Sequence, residues 1–315
     1  MRRRTNPQHR RAGRLAARTT AVALLVLAPV TACGQAQQPG GGSSTPRTST
    51  PAPTSTVVDT TDELVASGLL MQDSPTSPVE LCVGGVAESY PPQCGGPRLD
   101  GDVDWEALRP QRASGVTWTE GAVWVVGRYS PATGRPGSAG GTVTLTRPVS
   151  LTPPAGVTLP SESPVTFPQL CDDPYAGGGR RGAGSPEEQA QLSERLTALD
   201  GYVGSWVSDG SSMFNVLVTR DAAAARAELR RVWPGGLCVE QRDLPTEADV
   251  RAAQDALATR VPGLLGSGGD AMNGRLDVQV TVLDAPTRDL ILTTVRPWLS
   301  ERDVRIMSAF QPLSD

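Results

Sequence analysis

The chain has 315 residues and a formal charge of −4, from 29 basic and 33 acidic side chains, and every basic one is arginine. The absence of lysine excludes Ser–Lys dyads, Schiff bases and a P-loop lysine, and the only histidine, His9, stands near the N-terminus. No basic surplus exists to release counterions from nucleic acid, so no nucleic-acid partner is expected.

Residues 1–32 read as a signal peptide, with seven arginines and no acid ahead of an apolar run from about Ala21 to Val30. That run is too short for a hydrocarbon core that needs about 20 helical residues, so a removable leader is expected. It ends in Val30-Thr31-Ala32-Cys33-Gly34, which resembles the lipobox of bacterial lipoproteins, with Val30 where leucine is commoner. The resemblance implies a diacylglyceryl group on Cys33, cleavage before it, and attachment to the extracytoplasmic face of the cell membrane through that lipid. Loss of the leader removes His9 and leaves 22 arginines against 33 acids, about −11. No imidazole then remains for Ser-His-Asp or Cys-His catalysis or for metal binding. Heavy Ala, Gly, Arg and Pro usage without lysine resembles high-GC actinobacterial proteins. Residues 33–61 are expected to be the lipidated cysteine and a tether, because Gln35 to Asp59 is a Gly/Ser/Thr/Pro tract with almost no large apolar side chain. At about 5–6 Å × √n, such a tract reaches roughly 25–30 Å.

Residues 62–153 carry strand signals at Val79 to Val83, Gly115 to Trp118, Ala122 to Tyr129 and Gly141 to Arg147, punctuated by Gly and Pro. In Thr142-Val143-Thr144-Leu145-Thr146 apolar residues alternate with threonines, the period of a half-buried strand. The expectation is a small antiparallel barrel or sandwich, OB-like if five strands close it. Asp100, Asp102, Asp104 and Glu106 alternate as in a calcium loop, but Trp105 stands where the turn needs glycine and Gln111 where a bidentate glutamate belongs. They are expected to form a solvated acidic turn. Trp105, Trp118 and Trp124 are expected to fill core rather than stack on sugars.

The Pro-rich stretch 154–168 is read as a linker to a second region, 169–315. Ser185-Pro186-Glu187-Glu188 combines an N-cap, a proline at the first helical position and a capping-box glutamate, with Leu192, Leu196 and Leu199 following at helical spacing. Thr246 and Asp249 open another helix, running to about Val261. A strand–helix–strand unit is repeated. Phe214 to Thr219, Asp221 to Trp233 and Leu237 to Gln241 are answered by Leu276 to Thr281, Pro286 to Trp298 and Val304 to Phe310. Val216 matches Val278 at an offset of 62, while Trp233 matches Trp298 and Val239 matches Val304 at 65. The chain as a whole is therefore expected to be α+β, with helices layered on one sheet in this region. The glycine-rich run Gly177 to Gly184 matches no nucleotide fingerprint and reads as a loop. Tyr202 to Leu283, with Arg220-Asp221-Ala222-Ala223-Ala224-Ala225, Val250-Arg251-Ala252-Ala253-Gln254 and an Asn273-Gly274 turn, resembles the pro-regions of secreted serine proteases of the α-lytic type. That resemblance implies a role in assisting or inhibiting a protease. Leu81-Cys82-Val83-Gly84-Gly85 with Tyr90 to Gly96 resembles a loop of actinobacterial secreted proteins and brings no activity with it.

Four cysteines remain beside Cys33, and in an oxidising compartment an even number argues for two disulfides. Of three possible pairings, the near-neighbour set is expected: Cys82 with Cys94 and Cys171 with Cys238. A four-cysteine zinc site would lack any C-x-x-C pair. No catalytic residue, cofactor or metal is expected, and the chain is read as a non-enzymatic lipoprotein that binds an unknown protein or cell-wall partner. Assisting or inhibiting a secreted protease in trans, and binding wall glycan through the tryptophans, are the alternatives.

Overall fold

A computed structural model describes residues 55–132, 140–157 and 165–313; the signal peptide, Cys33 and the tether as far as residue 54 lie outside them. The chain is α+β. Its first seven strands are β1 (Leu64–Gln72), β2 (Glu80–Cys82), β3 (Arg98–Asp100), β4 (Pro110–Ala113), β5 (Val116–Thr119), β6 (Val123–Pro131) and β7 (Gly141–Leu145). Five of them close a barrel in the order β1, β2, β3, β7, β6 and back to β1. The expected wholly antiparallel barrel or sandwich is corrected here, because β3 and β7 run parallel. A ring with an odd number of strands cannot alternate direction all the way round, so one neighbouring pair must run the same way. The β4–β5 hairpin stands outside the ring and joins it through β1.

The barrel interior holds the fully buried Leu64, Leu70, Leu81, Val123, Val125 and Val143. Along β7 only Val143 is buried while Thr142 and Thr144 face outward, the alternation its sequence predicts. Phe310 and Val282 enter the same core from the far end of the chain, the Phe310 ring lying 6.0 Å from that of Tyr129. A last short strand, β14 (Gln311–Pro312), pairs with the start of β1. Residues Ser55 to Val58 lie within the expected tether, but they are docked. Ser55 N donates to Ile306 O (2.8 Å), Val58 N donates to Leu283 O (2.9 Å), and Val58 is buried in the barrel core. Backbone donors in a segment carrying Val57-Val58 find partners on the folded body, so the binding of this segment offsets its ordering cost.

The second region runs α1 (Pro186–Ala198), β8 (Tyr202–Val207), β9 (Met213–Val218), α2 (Ala222–Arg230) and β10 (Gly236–Gln241), then α3 (Glu247–Arg260), β11 (Leu264–Asp270), β12 (Arg275–Val280), α4 (Ala285–Val295) and β13 (Val304–Ser308). The same order of elements thus occurs twice. In each half the first two strands are antiparallel and the helix crossover makes the last two parallel. Helices α1 and α3 begin at full capping boxes on Ser185 and Thr246. One expectation is overturned: the halves form two three-stranded sheets, not one. Neither sheet can extend into the other, since the turn after β11 covers the β8 edge at Gly204 and the segment around Pro174 covers β10, where Leu237 N donates to Pro174 O (2.8 Å).

The internal match at 62 extends further than Val216 and Val278. Gly201-Tyr202-Val203-Gly204-Ser205 is answered by Gly263-Leu264-Leu265-Gly266-Ser267 at the same offset. Gly201 and Gly263 both have φ of 70°, and each accepts a hydrogen bond of 2.8 Å from the N–H of Thr219 or Thr281. A bulge follows in both, between Tyr202 and Gly204 and between Leu264 and Gly266. The matches at 65 do not hold. Ala225, Leu229 and Trp233 face the first core at four-residue steps, and their counterparts are Ile291, Val295 and Leu299. Trp298 falls one position off that face and is 38% exposed. Val239 pairs with Val216 and Ile306 with Val278, so Ile306, not Val304, is the equivalent of Val239.

Candidate functional site

Both expected disulfides are formed: Cys82 with Cys94 and Cys171 with Cys238, at Cα separations of 5.7 and 5.5 Å. The first ties off the loop between β2 and β3 at its base, and that loop forms one wall of a cleft of about 770 Å³. Gly84, Gly85, Gly95 and Gly96 supply this wall, Ser130 and Thr142 the ends of β6 and β7, and Leu264 and Leu265 of β11 the opposite side. Glycine is required at 96, where a Cβ would lie 1.7 Å from Leu81 O. At 85 and 95 it is not, since a Cβ on either would meet nothing within 4 Å. These two positions simply leave room.

Among the described residues the charged groups of the cleft are Glu80 and Arg98, which stand opposite each other in the β2–β3 pair. Burial pushes the Glu80 carboxyl above its ordinary value, Asp73 adds to the rise and Arg98 opposes it. Arg98 is exposed and forms no ion pair among the described residues. The cleft therefore offers one acceptor, one fixed cation, two hydroxyls and an apolar side in a row. Its described lining contains no nucleophile–base pair.

The other residues singled out by sequence do not converge on it. Asp104 accepts from Ala107 N (3.2 Å), Glu106 pairs with Arg112 (2.9 Å), and Asp100 lies exposed on β3. Among the described residues no group of three or more His, Cys, Asp or Glu is placed to hold a metal ion. Trp118 is buried against Met71 and Cys82, Trp105 is half-buried against the barrel core, and Trp124 is half-buried on β6. None of the three lines the cleft. Glu80 and Arg98 carry no motif, but the Gly-Gly pairs beside both Cys82 and Cys94 were a visible sign of a loop built to leave space. No family model matches the chain, and no curated protein is significantly similar to it.

Proposed function

We propose that this chain is an extracytoplasmic lipoprotein, held to the cell membrane by lipid on Cys33, whose barrel is OB-like and binds an extended segment of a partner protein without catalysing a reaction. The cleft carries this reading. Counted within the ring alone, the strand order is 1-2-3-5-4-1 with the third and fifth parallel, and OB folds take ligands on the face of their second and third strands beside the loop joining the fourth and fifth. Glu80, Arg98, Ser130 and Thr142 occupy that face. An acceptor and a donor opposite one another suit a peptide backbone, and sugar rings would want an aromatic platform that is missing among the described lining residues. No helix of the described residues is long and apolar enough to cross a membrane.

A photo-reactive amino acid at position 95 of the full chain, activated in intact cells, tests the cleft. A discrete protein adduct is expected from position 95 and not from the exposed Asp289 on α4. No adduct, or the same adduct from both positions, overturns the reading. Arg98→Ala removes the cation of the cleft from an exposed position, so it is expected to weaken binding of the captured partner with unfolding free energy changed by less than about 0.5 kcal/mol. The anchor is tested separately: the N-terminal peptide is expected to start at a diacylglyceryl-modified Cys33, and Cys33→Ala to remain unlipidated.

A further inference from the structure

Among the described residues ten arginines have no carboxylate partner, and five of them, Arg180, Arg181, Arg226, Arg230 and Arg231, gather on α2 and the 173–184 loop. This concentration occurs in a chain whose acids outnumber its bases. The loop is fixed in place, with Arg180 N donating to Pro234 O (2.7 Å). Two guanidinium groups are fixed as well. Arg230 Nη1 donates to Gly235 O (2.6 Å) and its Nη2 to Pro174 O (2.8 Å), while Arg226 Nη2 donates to Asp173 O (2.8 Å). Carbonyl oxygens satisfy these N–H groups, and Asp173, the one carboxylate whose charge acts on Arg230, forms no ion pair with it. Arg226 and Arg230 stand one helical turn apart, where like charges repel. Burial, and after it the charge of Arg226, hold the Arg230 guanidinium below its ordinary value. Among the described residues its Nε is buried and has no hydrogen-bond partner, and the Arg231 side chain makes no hydrogen bond.

Between these arginines and Gly177 lies a groove of about 550 Å³ with Ala223 and Ala227 as its floor. Arginine in the last turn of a helix complements the dipole, which accounts for Arg230 and Arg231. It does not account for Arg226, one turn earlier, or for Arg180 and Arg181. We propose that this groove binds a phosphoryl group, whose oxygens take the free donors of Arg226 and Arg231 beside the charge of Arg230. Several guanidinium forks around one small space match a multiply charged oxyanion better than a single carboxylate. Because the forks of Arg226 and Arg230 are already held by carbonyls, little of their side-chain freedom is lost on binding.

The test uses the full chain carrying Cys33→Ser, so that no lipid of its own contributes, and a second variant with Ala227→Glu added. Ala227 is exposed on α2, and glutamate there sits four residues before Arg231, placing a carboxylate in the groove while every arginine contact stays. Inorganic phosphate is expected to raise Tm by about 2 °C or more beyond chloride at matched ionic strength, and to shift the Nε–Hε resonances of Arg226, Arg230 and Arg231. The Ala227→Glu chain is expected to be the more stable in chloride and to lose the phosphate increment. Sedimentation with phosphatidylglycerol vesicles but not phosphatidylcholine vesicles, lost in Ala227→Glu, assigns the phosphoryl group to lipid headgroups. A phosphate response without vesicle binding assigns it to a soluble ester. Equal effects of phosphate and chloride, or the same increment in both chains, overturn the proposal.

Discussion

Asp209 shows how much one exposed carboxylate can organise. It caps the β8–β9 turn, accepting from Ser211 N (2.9 Å), Ser212 N (2.8 Å) and Met213 N (2.8 Å). Burial alone would raise its carboxyl, but the N–H groups of Met213, Ser211 and Ser212, joined by the Ser212 hydroxyl, outweigh it and hold the group well below the usual carboxylate range. A group depressed in the folded state contributes stability that is complete above its unfolded value of about 4 and disappears as pH falls through the folded value. Asp209→Ala is therefore expected to cost on the order of 1 kcal/mol at neutral pH, the size of a lost N-cap, screening by water keeping it no larger. Urea melts from pH 7 to 2 measure this, and the variant is expected to lose less stability than the parent below pH about 4.

At the scale of elements, the two bulged strands test the internal repeat. A Cβ on Gly204 of β8 would come within 2.7 Å of Ala271 Cβ and 2.8 Å of its backbone, whereas one on Gly266 of β11 would meet nothing within 4 Å. Gly204→Ala is expected to cost about 1–3 kcal/mol and Gly266→Ala less than about 0.5, read as the difference in chemical denaturation midpoints. The helices were legible from sequence because their starts are written in local chemistry: Ser185 with Glu188, and Thr246 with Asp249, form the reciprocal caps their spacing predicts. Strand β7 was legible because one of its faces is wet. Strand β1 was not, since Leu64–Gln72 pairs with β6 along one stretch and with β2 and β5 along the next, burying both faces and erasing the alternation. Strand β3 is three residues long inside an acidic run, too short to carry a period. The Gly-x-x-Gly-Ser repeat stood in the sequence but does not belong to the hydrophobic pattern, so a search by apolar period passes over it. The cleft was invisible for a different reason: Glu80, Arg98, Thr142 and Leu265 meet only once the ring has closed.

For the molecule as a whole, the Cys171–Cys238 bond closes a loop of 67 residues that contains α1, β8, β9 and α2. By chain entropy it is worth about 4 kcal/mol, against about 3 for the 12-residue span between Cys82 and Cys94. Replacing both Cys171 and Cys238 with serine is expected to lower the unfolding free energy by the larger amount, which thermal melts under oxidising conditions would show. The docked Ser55 has a mechanical meaning too. Its Oγ accepts from Ser308 N (3.0 Å) and Gln311 Nε2 (3.3 Å), so the chain enters the folded body beside the point where it leaves. On the proposed anchoring, any tug from the bilayer would load β13 and the final residues first and spare the barrel loops, and a reporter fused after Asp315 would share that mooring point instead of shading the cleft.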